Sequence, residues 1–159
     1  MKKYLGAIKS KLVKLATNLD RDFNDVALEF ALERLVARLQ SHSKLAKHLV
    51  YKGGFVMLKA YQSNRSTVDL DTSLQGLSIE LAETFAKDVI TKDWDDGLWM
   101  GAIESEEMEH QGQYGGHRLN IRYAFERPKG STKKLSKIIL DIGIADAITP
   151  GPMESKITP

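Results

Sequence analysis

The sequence predicts an α+β fold, in which N-terminal helices precede a mixed β-sheet that is flanked by helices. Leucines recur at helical spacing in the first third of the chain. Segments with alternating apolar residues follow, and one further helical pattern interrupts them. A continuous apolar run near residue 140 is typical of a strand buried on both faces. This order predicts at least three strands in one mixed sheet.

The first 48 residues are expected to form a helical segment. One face of a helix over residues 25–40 is predicted by the spacing of its apolar residues, which are Leu28, Leu32, Leu35, Val36 and Leu39. Asn24 is positioned to cap the start of that helix. A shorter helix is expected over residues 42–48.

The remaining elements follow in alternation. Val50 and Tyr51 precede a pair of glycines, and the pattern then predicts helix over residues 55–61, strand over 66–74 and helix over 79–90. Two further strands are expected over 98–105 and 117–126.

The last predicted strand spans residues 137–145, and a basic turn at 127–134 leads into it. Three prolines, Pro150, Pro152 and Pro159, predict an extended tail over residues 151–159. The core domain is therefore expected at residues 49–150.

The composition is that of one globular domain. The 159 residues are 42% apolar and 28% charged, and none is cysteine. Disulfide scaffolds, cysteine nucleophiles and cysteine-based metal sites are thereby excluded. The lack of cysteine fits a reducing compartment, and no apolar run is long enough to span a membrane. We expect a cytoplasmic protein.

Charge is distributed unevenly, although the net charge is only +2. Residues 1–14 and 127–137 each carry five basic residues and no acidic one, whereas residues 83–109 carry nine acids and two lysines. The basic segments could dock on a phosphate backbone or could be solvated surfaces. The acidic stretch reads as a solvated face, with a turn at residues 93–97.

Asp69 and Asp71 are candidate metal ligands. Two residues apart in a strand, they project from the same face, about 6.5–7 Å apart along the chain. Paired carboxylates can hold one or two hard cations, and such ions can activate a hydroxyl and neutralise a leaving pyrophosphate. An isolated Asp-x-Asp is also common in surface turns.

Asp141 strengthens this interpretation because it lies inside an apolar strand. A buried carboxylate needs a partner or a metal ion. A third carboxylate beside Asp69 and Asp71 would complete a metal-binding triad. The alternatives are that Asp141 faces solvent or pairs with a nearby lysine.

Residues around the two motifs are candidates for binding phosphate. Gly53 and Gly54 precede a predicted helix start, where free N–H groups can bind anions, although they also suit an ordinary turn. The polar residues nearby could contact a triphosphate or be plain surface residues; they are Lys52, Arg65, Ser66 and Thr67.

The order of these motifs resembles one enzyme family. Lys-Gly-Gly, then Arg-Ser-Thr-x-Asp-Leu-Asp, then a distant Leu-Asp-Ile-Gly strand is similar to the AbiEii/AbiGii-type nucleotidyltransferases, which include the MenT-like toxins of type IV toxin–antitoxin systems. The resemblance covers roughly residues 51–150. It implies a DNA polymerase β-like nucleotidyltransferase core.

The resemblance also implies roles for individual residues. Asp69, Asp71 and Asp141 match the family's catalytic, metal-binding acids, with Mg²⁺ or Mn²⁺ as cofactor and an NTP as substrate. Residues that match the nucleotide-binding positions or flank them are Lys52, Gly53, Gly54, Arg65, Ser66 and Thr67. The implied acceptor is a hydroxyl group of RNA, tRNA among the candidates, or of a protein. The implied partner is a cognate antitoxin. From the lack of a long apolar run we expect no membrane partner.

Two departures from the family pattern stand out. Phe55 follows the glycine pair, where the family usually has a small hydroxyl residue. Family members continue into a C-terminal helical region with a further nucleotide-binding motif, and we expect this chain to stop before it. The leading hypothesis is therefore a nucleotidyltransferase toxin. The alternative is a non-catalytic module that binds nucleotide or antitoxin through a reduced site.

Overall fold

The computed structural model describes residues 2–52, 69–108 and 115–144, without the side chains of residues 2–6, Lys52 and Asp69. Three helices come first: α1 (Lys2–Leu19), α2 (Phe23–Gln40) and α3 (Ser43–His48). Strands β1 (Leu49–Lys52) and β2 (Asp69–Leu74) follow, and then helix α4 (Ile79–Thr91). The chain continues into strands β3 (Trp99–Glu107), β4 (Gly116–Ala124) and β5 (Ser136–Ile144).

The strands form one mixed five-stranded sheet in the order β1-β2-β5-β4-β3. The pair β2 and β5 is parallel, and the other three pairs are antiparallel. The predicted α+β class, with helices before a mixed sheet, is confirmed. Strand β5 is central, so its backbone hydrogen bonds go to β2 on one side and β4 on the other.

One face of the sheet packs against helices α2 and α4. The leucines predicted to line α2 are buried there, with Val36 at the margin. From the sheet, the same core receives alternate residues of β2, β4 and β5: Leu70, Leu74, Leu119, Ile121, Ile138, Leu140 and Ile142. Ile139, on the other face of β5, is only half-buried. The prediction that the apolar run of β5 is buried on both faces is therefore correct only for the face that packs against the helices.

The start of α2 corrects one prediction. The helix begins at Phe23, and its N-cap is Asp22, whose carboxylate accepts a hydrogen bond from the Asn24 backbone N–H at 2.7 Å. Asn24 therefore lies inside the first turn. Aspartate and asparagine are about equally good N-cap residues, so residue type does not decide between Asp22 and Asn24. The local backbone conformation places Asp22 at the cap.

Glu83 fastens helix α4 to the sheet. Its carboxylate lies 2.7 Å from the Ser105 hydroxyl on β3, 2.5 Å from His117 Nδ1 on β4 and 2.8 Å from the Lys87 amine. Burial by itself raises the pKa of Glu83, but the hydrogen bonds from these three groups outweigh it and lower the pKa to about 2.

This lowered pKa predicts a pH-dependent contribution to stability. Because the folded protein holds Glu83 ionised, its contribution is fully present above about pH 4.5 and is lost as pH falls towards 2. Urea unfolding of the wild type and Glu83→Gln should show a difference at pH 6 that shrinks at pH 3. A difference that is constant with pH would contradict this assignment.

Gly116 marks a close approach of strands β4 and β5. A Cβ atom placed there would overlap the Ile142 carbonyl oxygen and lie 2.8 Å from the Gly143 Cα. We expect Gly116→Ala to cost about 1–3 kcal/mol in unfolding free energy, as overpacking typically does. Gly130→Ala is the control, because a Cβ at Gly130 meets nothing within 4 Å. Equal stability of the two variants would argue against this contact.

Candidate active site

Asp71 and Asp141 meet at the centre of the sheet. They are register partners on the parallel strands β2 and β5, and they lie 70 positions apart in the sequence. Register partners on neighbouring strands share a face of the sheet. On β5 this is the face opposite the buried Leu140 and Ile142, so the carboxylates lie on the side away from α2 and α4.

A row of charged residues crosses all five strands at this level. The register pairs Lys52 with Asp71, Asp71 with Asp141, Asp141 with Arg118, and Arg118 with Glu106. We call these five residues the charged row. Lys52 is placed here by its backbone position only. The row sets two adjacent acids between basic positions on either side.

Arg118 is the principal partner of Asp141. Its Nε donates to Oδ1 of Asp141 at 2.7 Å, and its second guanidinium nitrogen donates to Oδ2 at 3.1 Å. The Asp141 side chain is 12% exposed, and that of Arg118 is 36% exposed. The bidentate pair explains how a carboxylate is accommodated in an apolar strand. The two alternatives considered for Asp141, exposure to solvent and pairing with a lysine, are both wrong, because its main partner is an arginine.

Arg118 was absent from the residues singled out by sequence. A signal for it existed in the alternation of β4, where Arg118, Asn120 and Arg122 are interleaved with the buried residues Leu119 and Ile121. That pattern marks one polar face. The pattern does not reveal that β4 lies beside β5, because strand neighbours are set by the sheet order and not by the alternation within one strand.

The structure describes the other candidate residues only in part. Asp69 starts β2 at the register position opposite Ile139, two residues before Asp71. The predicted phosphate-binding residues Gly53, Gly54, Arg65, Ser66 and Thr67 lie outside the described residues, as do the predicted helix at 55–61 and the tail at 151–159. Their roles remain predictions.

The described carboxylates suit a hard divalent cation in their chemistry. Asp71 and Asp141 carry carboxylate oxygens on adjacent strands, the donor type that Mg²⁺ and Mn²⁺ prefer. Each carboxylate oxygen has two lone pairs, so those of Asp141 can accept from Arg118 and still face a cation. Among the side chains that the structure describes, no three acidic or histidine residues form a metal-binding group. The triad remains a prediction, because it includes the side chain of Asp69.

A separate groove of about 1100 Å³ lies away from the charged row, near the ends of α2 and β4. It brings together basic residues from both predicted basic segments, namely Lys9, Arg127, Lys129 and Lys134. Four acids, Asp93, Asp95, Asp96 and Glu126, line the same groove. The described lining is therefore balanced in charge and gives no preference for a polyanion. No described helix is long and apolar enough to cross a membrane.

A comparison with protein families gives a match over most of the chain. The family model described as nucleotidyl transferase AbiEii toxin, type IV toxin–antitoxin system, matches residues 34–159. The matched region includes the whole sheet and therefore the charged row. No curated protein matches the chain closely enough to count as a relative.

Proposed function

Since the chain belongs to the AbiEii family of nucleotidyltransferase toxins of type IV toxin–antitoxin systems, we propose that it transfers a nucleotide from an NTP to a hydroxyl group at the charged row. The observation that carries this proposal is the register pairing of Asp71 with Asp141 on parallel strands. Two acids brought together from distant parts of the chain, at the centre of a sheet, need a shared function or a shared counterion.

The proposed reaction is an in-line displacement at the α-phosphorus of the NTP. The acceptor oxygen forms a bond to that phosphorus, the bond to the β-phosphate breaks, and pyrophosphate leaves. Asp69, Asp71 and Asp141 would hold Mg²⁺ or Mn²⁺, which supplies neutralisation of the phosphate charge. Asp141 would in addition orient the acceptor hydroxyl and accept its proton. Such catalysis depends mostly on positioning and electrostatics.

The phosphate-binding roles follow the family motifs. Gly53 and Gly54 would cradle the triphosphate through backbone N–H groups, with Ser66 and Thr67 donating from their hydroxyls. Lys52 and Arg65 would neutralise its charge, and the backbone position of Lys52 next to Asp71 supports the first of these.

The acceptor and the partner are proposed on the same basis. The acceptor is a hydroxyl group of an RNA, with tRNA as one candidate, or of a protein. A cognate antitoxin is the expected regulatory partner, because the family is defined by toxin–antitoxin systems. The reaction would take place in the cytoplasm, where NTPs are abundant.

The test is label transfer by the full-length gene product. The protein is incubated with each α-³²P-labelled NTP, Mg²⁺, and either total RNA or a protein extract, and labelled products are separated by size. We expect label on an RNA or on a protein from at least one NTP, and none when EDTA is present. Binding of NTP without any transfer would instead support a non-catalytic module.

A further inference from the structure

The ion pair between Arg118 and Asp141 lies on the atoms that a metal ion would need. Both oxygens of Asp141 accept hydrogen bonds from one guanidinium group, at 2.7 and 3.1 Å. That carboxylate is mostly shielded from water, with 12% of its side chain exposed. Its negative charge is therefore compensated within the protein, by a group fixed in register on the next strand.

We propose that Arg118 is a built-in counterion of Asp141 with which a divalent cation has to compete. This inference rests on the proposed metal-dependent function. Arg118 allows Asp71 and Asp141 to lie side by side in the folded protein, because it offsets the repulsion between two adjacent carboxylates. The same positive charge opposes a second cation at the same oxygens. Arg118 is thus a positioning residue that sets metal affinity.

The chemistry of the pair determines how the competition works. Guanidinium is planar and always charged, and it matches a carboxylate bidentately. A cation that ligates Asp141 must take an oxygen that Arg118 already holds, or share it at close range. With Arg118 more than a third exposed, its guanidinium can move towards solvent on the sheet face away from α2 and α4.

This arrangement predicts opposite effects on folding and on metal binding. Arg118→Gln removes the competing charge, so Mn²⁺ should bind about tenfold more tightly. The same change removes the group that holds both oxygens of Asp141, so the variant in EDTA should unfold at a lower temperature than the wild type. Saturating Mg²⁺ should raise its melting temperature by more than it raises that of the wild type.

Two further variants separate this role from general effects. Arg118→Lys keeps the charge but loses the bidentate geometry, so its Mn²⁺ affinity should stay within about threefold of the wild type. Arg122→Gln removes the same charge four residues along β4, where Arg122 donates to the Leu135 carbonyl instead. That position is about 13 Å away along the strand, beyond a Debye length at physiological salt, so the metal affinity should not change.

The experiment is a calorimetric titration of these full-length proteins with Mn²⁺, together with thermal unfolding in EDTA and in Mg²⁺. Tighter binding by Arg118→Gln, with unchanged binding by Arg122→Gln, is the expected result. Equal or weaker Mn²⁺ binding by Arg118→Gln would overturn the inference while leaving the metal site in place. If the wild type binds no Mn²⁺, or if Asp71→Asn binds as the wild type does, the proposed metal site fails and the inference fails with it.

Discussion

Replacing Asp71 by asparagine is expected to lower the rate of nucleotide transfer at least about a hundredfold, the loss typical of removing one preorganised electrostatic group. Asparagine has the same shape but no negative charge, so it is a poor ligand for a hard cation. Asp141→Asn should have a similar effect on the rate. The double variant Asp69→Asn with Asp71→Asn should abolish metal-dependent transfer.

The fold should survive the loss of Asp71, because Asp71 lies on the sheet face away from α2 and α4 and the core residues on either side, Leu70 and Thr72, are unchanged. Circular dichroism and thermal unfolding check this point. Asp88→Asn makes the same chemical change at an exposed position of α4 and serves as the matched control. Full activity of the double variant would refute the proposed mechanism.

Arg38→Met is expected to lower the free energy of unfolding by about 3–5 kcal/mol, the cost of breaking a buried ion pair from one side. Arg38 lies in α2 with no exposed side-chain area. Its guanidinium donates to the Ile90 and Leu98 carbonyl oxygens, each at 2.7 Å, and to Asp96 at 3.0 Å. Burial lowers the pKa of Arg38, and the charge of Asp96 opposes that effect.

Methionine fills a similar volume, so the expected loss comes from the polar groups left behind. Two buried carbonyl oxygens would lose their donor, and Asp96 would lose one of its two arginines. Arg34→Met is the control, because Arg34 is 30% exposed and contacts the same Asp96. It should cost less than about 1 kcal/mol in urea unfolding. A similar loss in the two variants would show that burial of Arg38 is not the cause.

The elements that sequence predicted well are those with a local signature. The leucine spacing of α2 and the alternation of β4 each follow from the period of the element itself. The predicted cap of α2 was wrong by two residues, because Asp22 and Asn24 are both capable of that role.

Features that depend on strand neighbours were out of reach. The pairing of Arg38 with Asp96 spans 58 residues, and that of Arg118 with Asp141 joins two strands whose adjacency no local pattern specifies. An arginine on the apolar face of α2 was a readable sign of a buried ion pair, but its partner was not. Asp71 and Asp141 could be predicted as a pair because the family motifs connect them, independently of the sheet order.

The position of β5 has a consequence for how the protein acquires activity during synthesis. As the last strand in chain order within the described residues, β5 is inserted between β2 and β4 and joins two otherwise separate antiparallel units. Until residues 136–144 leave the ribosome, β2 and β4 each present an unpaired edge that favours association with other chains. The same delay means that a nascent chain does not yet bring Asp141 beside Asp71. The toxin is therefore expected to become competent for catalysis only in a late, non-local folding step.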